Sequence, residues 1–239
     1  MTQDFDYTQA FDDTYLKNPD NYPDKYLNKL KDAIDPNKQP AVTYEKVHKV
    51  IGRLPFDFKD YIDNFDYKNL PDHLKYLASF DKAGADFKMV NVLIHQLKDE
   101  FYEKVKHWAE NDIGYTAWEG HLIFMAGGQN QVTPIHTDIH GGLRVRLGIE
   151  HLIDEDYLYD PVKGFRKFWI PMTDRKFGQF LDVNGVGIAD WKAGDIHEFQ
   201  SCYPHAGCTL GPDDRVIMII CGVTFPLPTD LKKGIKNEH

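Results

Sequence analysis

The sequence predicts an α+β fold: a jelly-roll barrel with a helical layer packed on one of its sheets. Three observations point there. From about residue 115 the apolar period falls from helical to two, and nine short strand-like runs follow one another. Turn signals separate them at Gly127-Gly128, Gly141-Gly142, Val183-Asn184-Gly185, Ala193-Gly194 and Gly211-Pro212-Asp213-Asp214. Before residue 112, apolar stripes at i, i+3/i+4 spacing predict helices able to cover a sheet face.

Taken in order, residues 1–22 read as an extended arm, rich in Asp, Tyr and Asn without a period. Pro23 suits a first helical turn, and Tyr26, Leu27, Leu30 and Ile34 make the stripe of a helix that Asp35-Pro36-Asn37 stops. Thr43 is the expected N-cap of a helix over Tyr44–Leu54. Phe58–Phe65 and Pro71–Phe80 read as shorter helical pieces, with Phe56, Phe58, Tyr61, Phe65 and Tyr67 as packing aromatics. The clearest stripe, Val90, Leu93, Ile94, Leu97, Phe101, Val105 and Trp108, predicts a helix over 89–110, with His95 and His107 as surface or packing residues. Strands are then expected at Glu119–Ala126, Thr133–Ile139, Leu143–Leu152, Phe165–Met172, Gln179–Val183, Val186–Trp191, Ile196–Gln200, Ala206–Leu210 and Arg215–Thr224. That number of short strands reads as a jelly-roll, cupin-like barrel. With no repeats or linkers, 1–239 is expected to be a single catalytic domain. It divides into a mainly helical part (1–112), a jelly-roll core (113–228) and a tail (229–239).

Composition narrows the function. A hydrophobic content of 42% with 13% aromatics excludes a disordered chain. A net charge of −9 argues against nucleic acid as a partner, unless Arg144, Arg146, Arg166 and Lys167 form a local basic groove. No apolar run approaches the ~20 residues of a membrane span, and Met1-Thr2-Gln3-Asp4 does not open a signal peptide. A soluble, cytoplasmic protein with reduced thiols is expected, since Cys202, Cys208 and Cys221 make no disulfide framework. The spacing Cys202-x-x-His205-x-x-Cys208 lacks a fourth ligand for zinc.

The chemistry centres on His136-Thr137-Asp138. On an extended strand, residues two apart share a face, so an imidazole and a carboxylate can form two adjacent corners of a metal site. The plainer alternative is a strand histidine hydrogen-bonded to its neighbouring aspartate. A third ligand would complete the 2-His-1-carboxylate triad that suits non-haem Fe(II). His205, in Tyr203-Pro204-His205-Ala206-Gly207, is the third candidate; His197 is its rival, but only His205 has an arginine ten residues on, at Arg215.

H-x-D, a distal His and that Arg, with Trp191-Lys192-Ala193-Gly194-Asp195 as a W-x-x-G-D turn, resemble the Fe(II)/2-oxoglutarate-dependent dioxygenase superfamily over roughly 119–225. The resemblance implies a double-stranded β-helix oxygenase using Fe(II), 2-oxoglutarate and O2, with His136, Asp138 and His205 on the metal. It implies that Arg215 clamps the far carboxylate of 2-oxoglutarate; pairing with Asp213 or Asp214 is the structural alternative. Thr209 and Gln129 are further co-substrate candidates, and Arg144, Arg146, His121, Trp118 and Tyr203 are substrate candidates. Trp169 and Trp191 either line the pocket or pack. The implied reaction yields succinate and CO2, with hydroxylation favoured over halogenation because Asp138 is present. The expected substrate is an amino acid, a peptidyl side chain or another small metabolite. The alternatives are a cupin-like metal-binding or sensing protein without turnover, and an oxygenase of modified nucleobases.

Overall fold

A computed structural model of the chain describes residues 48–71, 76–79, 88–136, 165–199 and 203–224. Their strands are β1 (Lys49–Arg53), β2 (Tyr76–Ser79), β3 (Lys88–Leu93), β4 (Ala117–Met125), β5 (Gln131–His136), β6 (Phe165–Pro171), β7 (Gln179–Val183), β8 (Val186–Ile188), β9 (Asp195–Glu198), β10 (His205–Thr209) and β11 (Arg215–Val223). They form a large sheet in the order β1-β9-β6-β11-β4-β3-β2 and a small one in the order β5-β10-β7-β8. Every pairing is antiparallel. The fold is the jelly-roll, double-stranded β-helix barrel, with helices on one sheet.

Side-chain alternation divides the large sheet cleanly. On β4, Trp118, Leu122 and Phe124 join an outer core, whereas Ile123 and Met125 join the core between the sheets. On β11, Val216, Met218 and Ile220 face outward and Ile217 inward. The outer core is closed by helix α3 (Glu100–His107), which buries Phe101 and Val105. Asp99 starts that helix by accepting a hydrogen bond from the Tyr102 amide at 2.9 Å. Trp108, at the start of a π-helical turn (Trp108–Asp112), lies against Phe168. A further short helix, α1 (Lys59–Asn64), brings Tyr61 flat onto Phe101, with ring centres 4.5 Å apart. Phe56, Phe58, Tyr61, Phe65 and Tyr67 all pack on this core, as expected of them.

The structure corrects three of the expected helices. Residues 88–93, assigned above to the long helix, form strand β3; a four-residue helix α2 (Ile94–Leu97) and then α3 follow. Met89 packs inside the barrel and Val92 on the outer core. A strand apolar on both faces loses its period of two and passes for a helical stripe. Lys98, at φ 50°, separates the two helices. Residues 49–53 are strand β1, and 76–79 are strand β2, not helix. The expected strand at 143–152, the first helix and the amino-terminal arm lie outside the described residues. Among the described residues, no helix is long and apolar enough to cross a membrane.

Three strands of the large sheet and the helix covering it lie before residue 112. A 113–239 fragment therefore exposes both a sheet edge and an apolar face, and should aggregate. A soluble fragment with a cooperative melting curve would contradict this packing.

Candidate functional site

The small sheet sets the geometry. Ladder β5–β10 pairs Gln131 with Thr209, Thr133 with Gly207 and His136 with His205. Three steps along β5 thus match two along β10, so β5 carries an extra residue in the stretch containing Pro134. Proline cannot donate to a ladder, which makes this the natural place for a bulge. The consequence is specific: position 136, not 135, stands opposite His205, and Ile135 is left exposed. Two of the three residues expected to hold a metal are therefore direct cross-strand neighbours. Asp138, Arg144, Arg146, His140 and Cys202 lie outside the described residues, and of His136 only the backbone is described.

His205 is buried, and its Nδ1 donates to the Tyr203 carbonyl at 2.9 Å. A carbonyl only accepts, so Nδ1 carries the proton and Nε2 the lone pair. This is how a ligating histidine is commonly oriented. The buried Lys167 places Nζ 3.3 Å from that Nε2 and 4.7 Å from the centre of the Phe199 ring. Lys167 is therefore not part of a surface groove with Arg166: the two alternate across β6, and Arg166 pairs with Glu198 at 2.7 Å. Among the described residues no three His, Cys, Asp or Glu side chains gather as a metal-binding group. Cys208 instead lies 3.6 Å from the Gly178 carbonyl.

Arg215 opens β11 and is 2% exposed. Its Nη1 donates to the carbonyls of Phe180 (3.1 Å) and Cys208 (3.0 Å). The Trp169 and Trp191 ring centres lie 5.3 and 5.2 Å from its guanidinium carbon. Its Nε has no hydrogen-bond partner among the described residues. Pairing with Asp214 is not what forms, because that carboxylate accepts from the Gly127 amide at 2.8 Å and from the Tyr67 hydroxyl at 3.2 Å. Burial pushes the guanidinium down to about 10, which leaves it charged at neutral pH. A Cβ on Gly207 would lie 3.3 Å from Nη1, so glycine there makes room for the guanidinium beside β10. Gly207 is two residues from His205, about 7 Å along an extended strand.

Gln179, which the sequence reading did not select, holds the turn before Arg215: its Nε2 donates to the carbonyls of Asp213 and Asp214 at 3.3 and 3.2 Å. Thr209 is fully buried between the sheets, beside Met125. Gln129 is exposed, and the buried member of that stretch is Gln131, whose Oε1 has no partner among the described residues. His121 lies on the inner face, bonded to Glu119 Oε1 at 2.6 Å and Asn91 Oδ1 at 3.0 Å. Trp118 is on the opposite face, in the outer core, with Nε1 donating to Glu110. The five-residue turn holds as expected: Gly194 takes φ 87° and Asp195 accepts from the Lys192 amide at 2.7 Å.

His197 lies on the inner face of β9, edge-on to Trp169 at 5.0 Å. Its Nδ1 is 2.5 Å from His48 Nε2, and both rings are buried. Burial lowers His48 to about 4; burial and then the neighbouring His48 lower His197 to about 3.

No family model matches the chain, and no curated protein matches it. Solved structures do. The non-haem α-ketoglutarate-dependent epimerase SnoN from nogalamycin biosynthesis aligns with a TM-score of 0.46 at 11% identity, over 74% of this chain and 78% of that one. An oxidoreductase of the 2OG-Fe(II) oxygenase family from Burkholderia pseudomallei aligns at 0.45 and 11%, over 70% and 78%. The non-haem monooxygenase ThoJ, in a nickel complex, aligns at 0.41 and 13%, over 62% and 60%. The chain is similar to several oxygenase-family structures. Likeness at this level carries no reaction or residue role from one protein to another.

The buried histidines have a pH consequence. Both are neutral when folded and regain an ordinary value near 6.5 when unfolded, so the unfolded chain binds more protons between pH 6.5 and about 4. Stability is held above pH 6.5 and lost as pH falls through that window, at up to about 1.4 kcal/mol per pH unit for each ring. Melting curves from pH 7.5 to 4 should show this slope, and His48→Gln should flatten it.

Proposed function

We propose that the chain is a non-haem Fe(II)/2-oxoglutarate-dependent oxygenase acting on an amino acid, a peptidyl side chain or another small metabolite. The observation that carries this is the buried charge of Arg215, which no described carboxylate balances. Two carbonyls occupy Nη1 and two indole rings lie against the guanidinium, while Nε has no partner among the described residues. An arginine so placed is matched to a carboxylate, which the Nε–Nη2 edge can take in a bidentate pair. The second support is the register that sets His136 against His205 about 7 Å along β10 from Gly207. A five-carbon keto diacid can span that distance, with one end on a metal and the other on Arg215.

The donor set fits the group. His205 is held as the Nδ1–H tautomer by a backbone carbonyl, which reserves Nε2 for a ligand. A cation there takes the place of the Lys167 hydrogen bond. His136, Asp138 and His205 would hold the iron. The chemistry it supplies when bound is activation of O2, coupled to decarboxylation of 2-oxoglutarate to succinate and CO2. The chain's part is placement: Tyr203 fixes the His205 ring, Gln179 fixes the turn that delivers Arg215, and Arg215 orients the co-substrate. Trp169 and Trp191 keep water from the ion pair, which strengthens it.

Removing His136, Asp138 or His205 by alanine should abolish Mn(II) binding with little change in circular dichroism; ordinary metal affinity in all three would refute the ligand set. Arg215→Ala should weaken 2-oxoglutarate binding by several hundred-fold or more, the equivalent of about 3–5 kcal/mol for breaking a buried pair. Arg215→Lys should recover part of it, and Mn(II) affinity should hold in both. Calorimetric titration of the Mn(II) form reads this, and succinate formation under O2 with candidate substrates separates an oxygenase from a binding protein. Wild-type affinity for 2-oxoglutarate in Arg215→Ala would overturn the co-substrate assignment.

A further inference from the structure

Three side chains around one ring each carry a buried polar atom with no hydrogen-bond partner among the described residues. The atoms are Arg215 Nε, Trp191 Nε1 and His197 Nε2, on side chains that are 2%, 3% and 0% exposed. The ring is Trp169. Arg215 lies 5.3 Å from its centre, Trp191 is edge-on at 5.3 Å, and His197 is edge-on at 5.0 Å. Arg215 is also 5.2 Å from the centre of the Trp191 ring. A buried polar atom without a partner is costly, so three on side chains around one ring are hard to account for as accidents of packing.

The hydrogen-bond chain allows His197 either of two tautomers. Its Nδ1 meets His48 Nε2 at 2.5 Å, so one of the two nitrogens donates and the other accepts. When His48 donates, His197 Nδ1 is the acceptor and its proton sits on Nε2. His197 then presents an N–H, as Trp191 and Arg215 do. Burial keeps the ring neutral at working pH, so it carries a single N–H. All three atoms are then donors, and only an acceptor-rich group satisfies three donors together. A carboxylate is acceptor-only, with about four lone-pair positions.

We propose that Trp191 and His197 complete the anion site begun by Arg215, their Nε1–H and Nε2–H donating to the far carboxylate of the dicarboxylate, with His48 as the positioning residue that fixes the His197 tautomer. This rests on the co-substrate reading above and goes beyond it. It makes the site a three-sided cradle selective for a diacid over a monocarboxylic keto acid. It also gives the His48–His197 contact, which joins the residue before β1 to β9, a role in binding.

The test is calorimetric titration of the Mn(II)-loaded full chain with 2-oxoglutarate and with 2-oxobutyrate, which keeps the keto acid and lacks the far carboxylate. Trp191→Phe keeps an aromatic ring and removes the N–H. His197→Asn keeps an amide near the Nδ1 position and loses Nε2, whereas His197→Gln places its amide near Nε2 and should rescue. A hydrogen bond to a charged group corresponds to roughly tenfold to a hundredfold in affinity. Trp191→Phe and His197→Asn should each lose that much for 2-oxoglutarate and nothing for 2-oxobutyrate, with His197→Gln close to wild type. Binding of 2-oxoglutarate by wild type, lost in Arg215→Ala but unchanged in Trp191→Phe and His197→Asn, would overturn the cradle and leave the co-substrate reading standing. Equal losses for both ligands, with lowered melting points, would overturn it in favour of packing roles. Failure of wild type to bind 2-oxoglutarate would overturn both.

Discussion

A guanidinium buried with no carboxylate partner among the described residues is the constraint on which the inner architecture turns. Arg215 opens β11, the nine-residue strand at the centre of the large sheet, so its position cannot drift without moving that sheet. Its Nη1 reaches across to carbonyls on β7 and β10 of the small sheet and ties the two layers together. Gly207 leaves it space, Gln179 pins the turn before it, and two tryptophans lie against it. Burying a charge is costly unless it is matched. Two backbone carbonyls and two ring faces lower that cost without cancelling the charge. The arrangement is stable enough to stand and still favours an anion, which is the economy expected of a binding site.

The second constraint is register. The extra residue near Pro134 decides which side of β5 each later residue takes, because a shift of one flips every side chain. With it, His136 is the cross-strand neighbour of His205; without it, the exposed Ile135 would hold that place. The proposed metal-ligand set and the proposed anion site therefore depend on the same small sheet, and β10 carries part of both. A change on β10 or in the β5 bulge should disturb the two together, whereas a change on β1 or β9 should reach only the anion site through His48 and His197.

What could be read from the sequence divides along physical lines. The barrel strands after residue 115 were legible because each is short and bounded by turn residues that have few alternatives; Gln179–Val183 emerges with the expected bounds. Strands β1, β2 and β3 were not, since β3 is apolar toward two cores at once and so lacks an alternating face. Arg215 stood out because an arginine before five apolar residues must be drawn inward. Lys167 did not, because neighbouring positions in a strand look alike in sequence and only the pleat separates it from the ion-paired Arg166. Gln129 was selected, and the buried glutamine of that stretch is Gln131, one strand period on from a turn whose Asn130 has φ 49°. The grouping of Trp191, His197 and Arg215 spans β11, β9 and the loop before it, so no spacing along the chain announces it.

The most direct measurement is a crystal structure of the Mn(II)-loaded protein grown with 2-oxoglutarate under exclusion of oxygen. The account predicts density for one metal among His136, Asp138 and His205. It also predicts a diacid whose far carboxylate meets the Nε edge of Arg215, with Lys167 withdrawn from His205 Nε2. A metal-bound keto acid whose far carboxylate lies elsewhere, with the Arg215 edge still unmatched, would contradict it, as would a metal held by other residues.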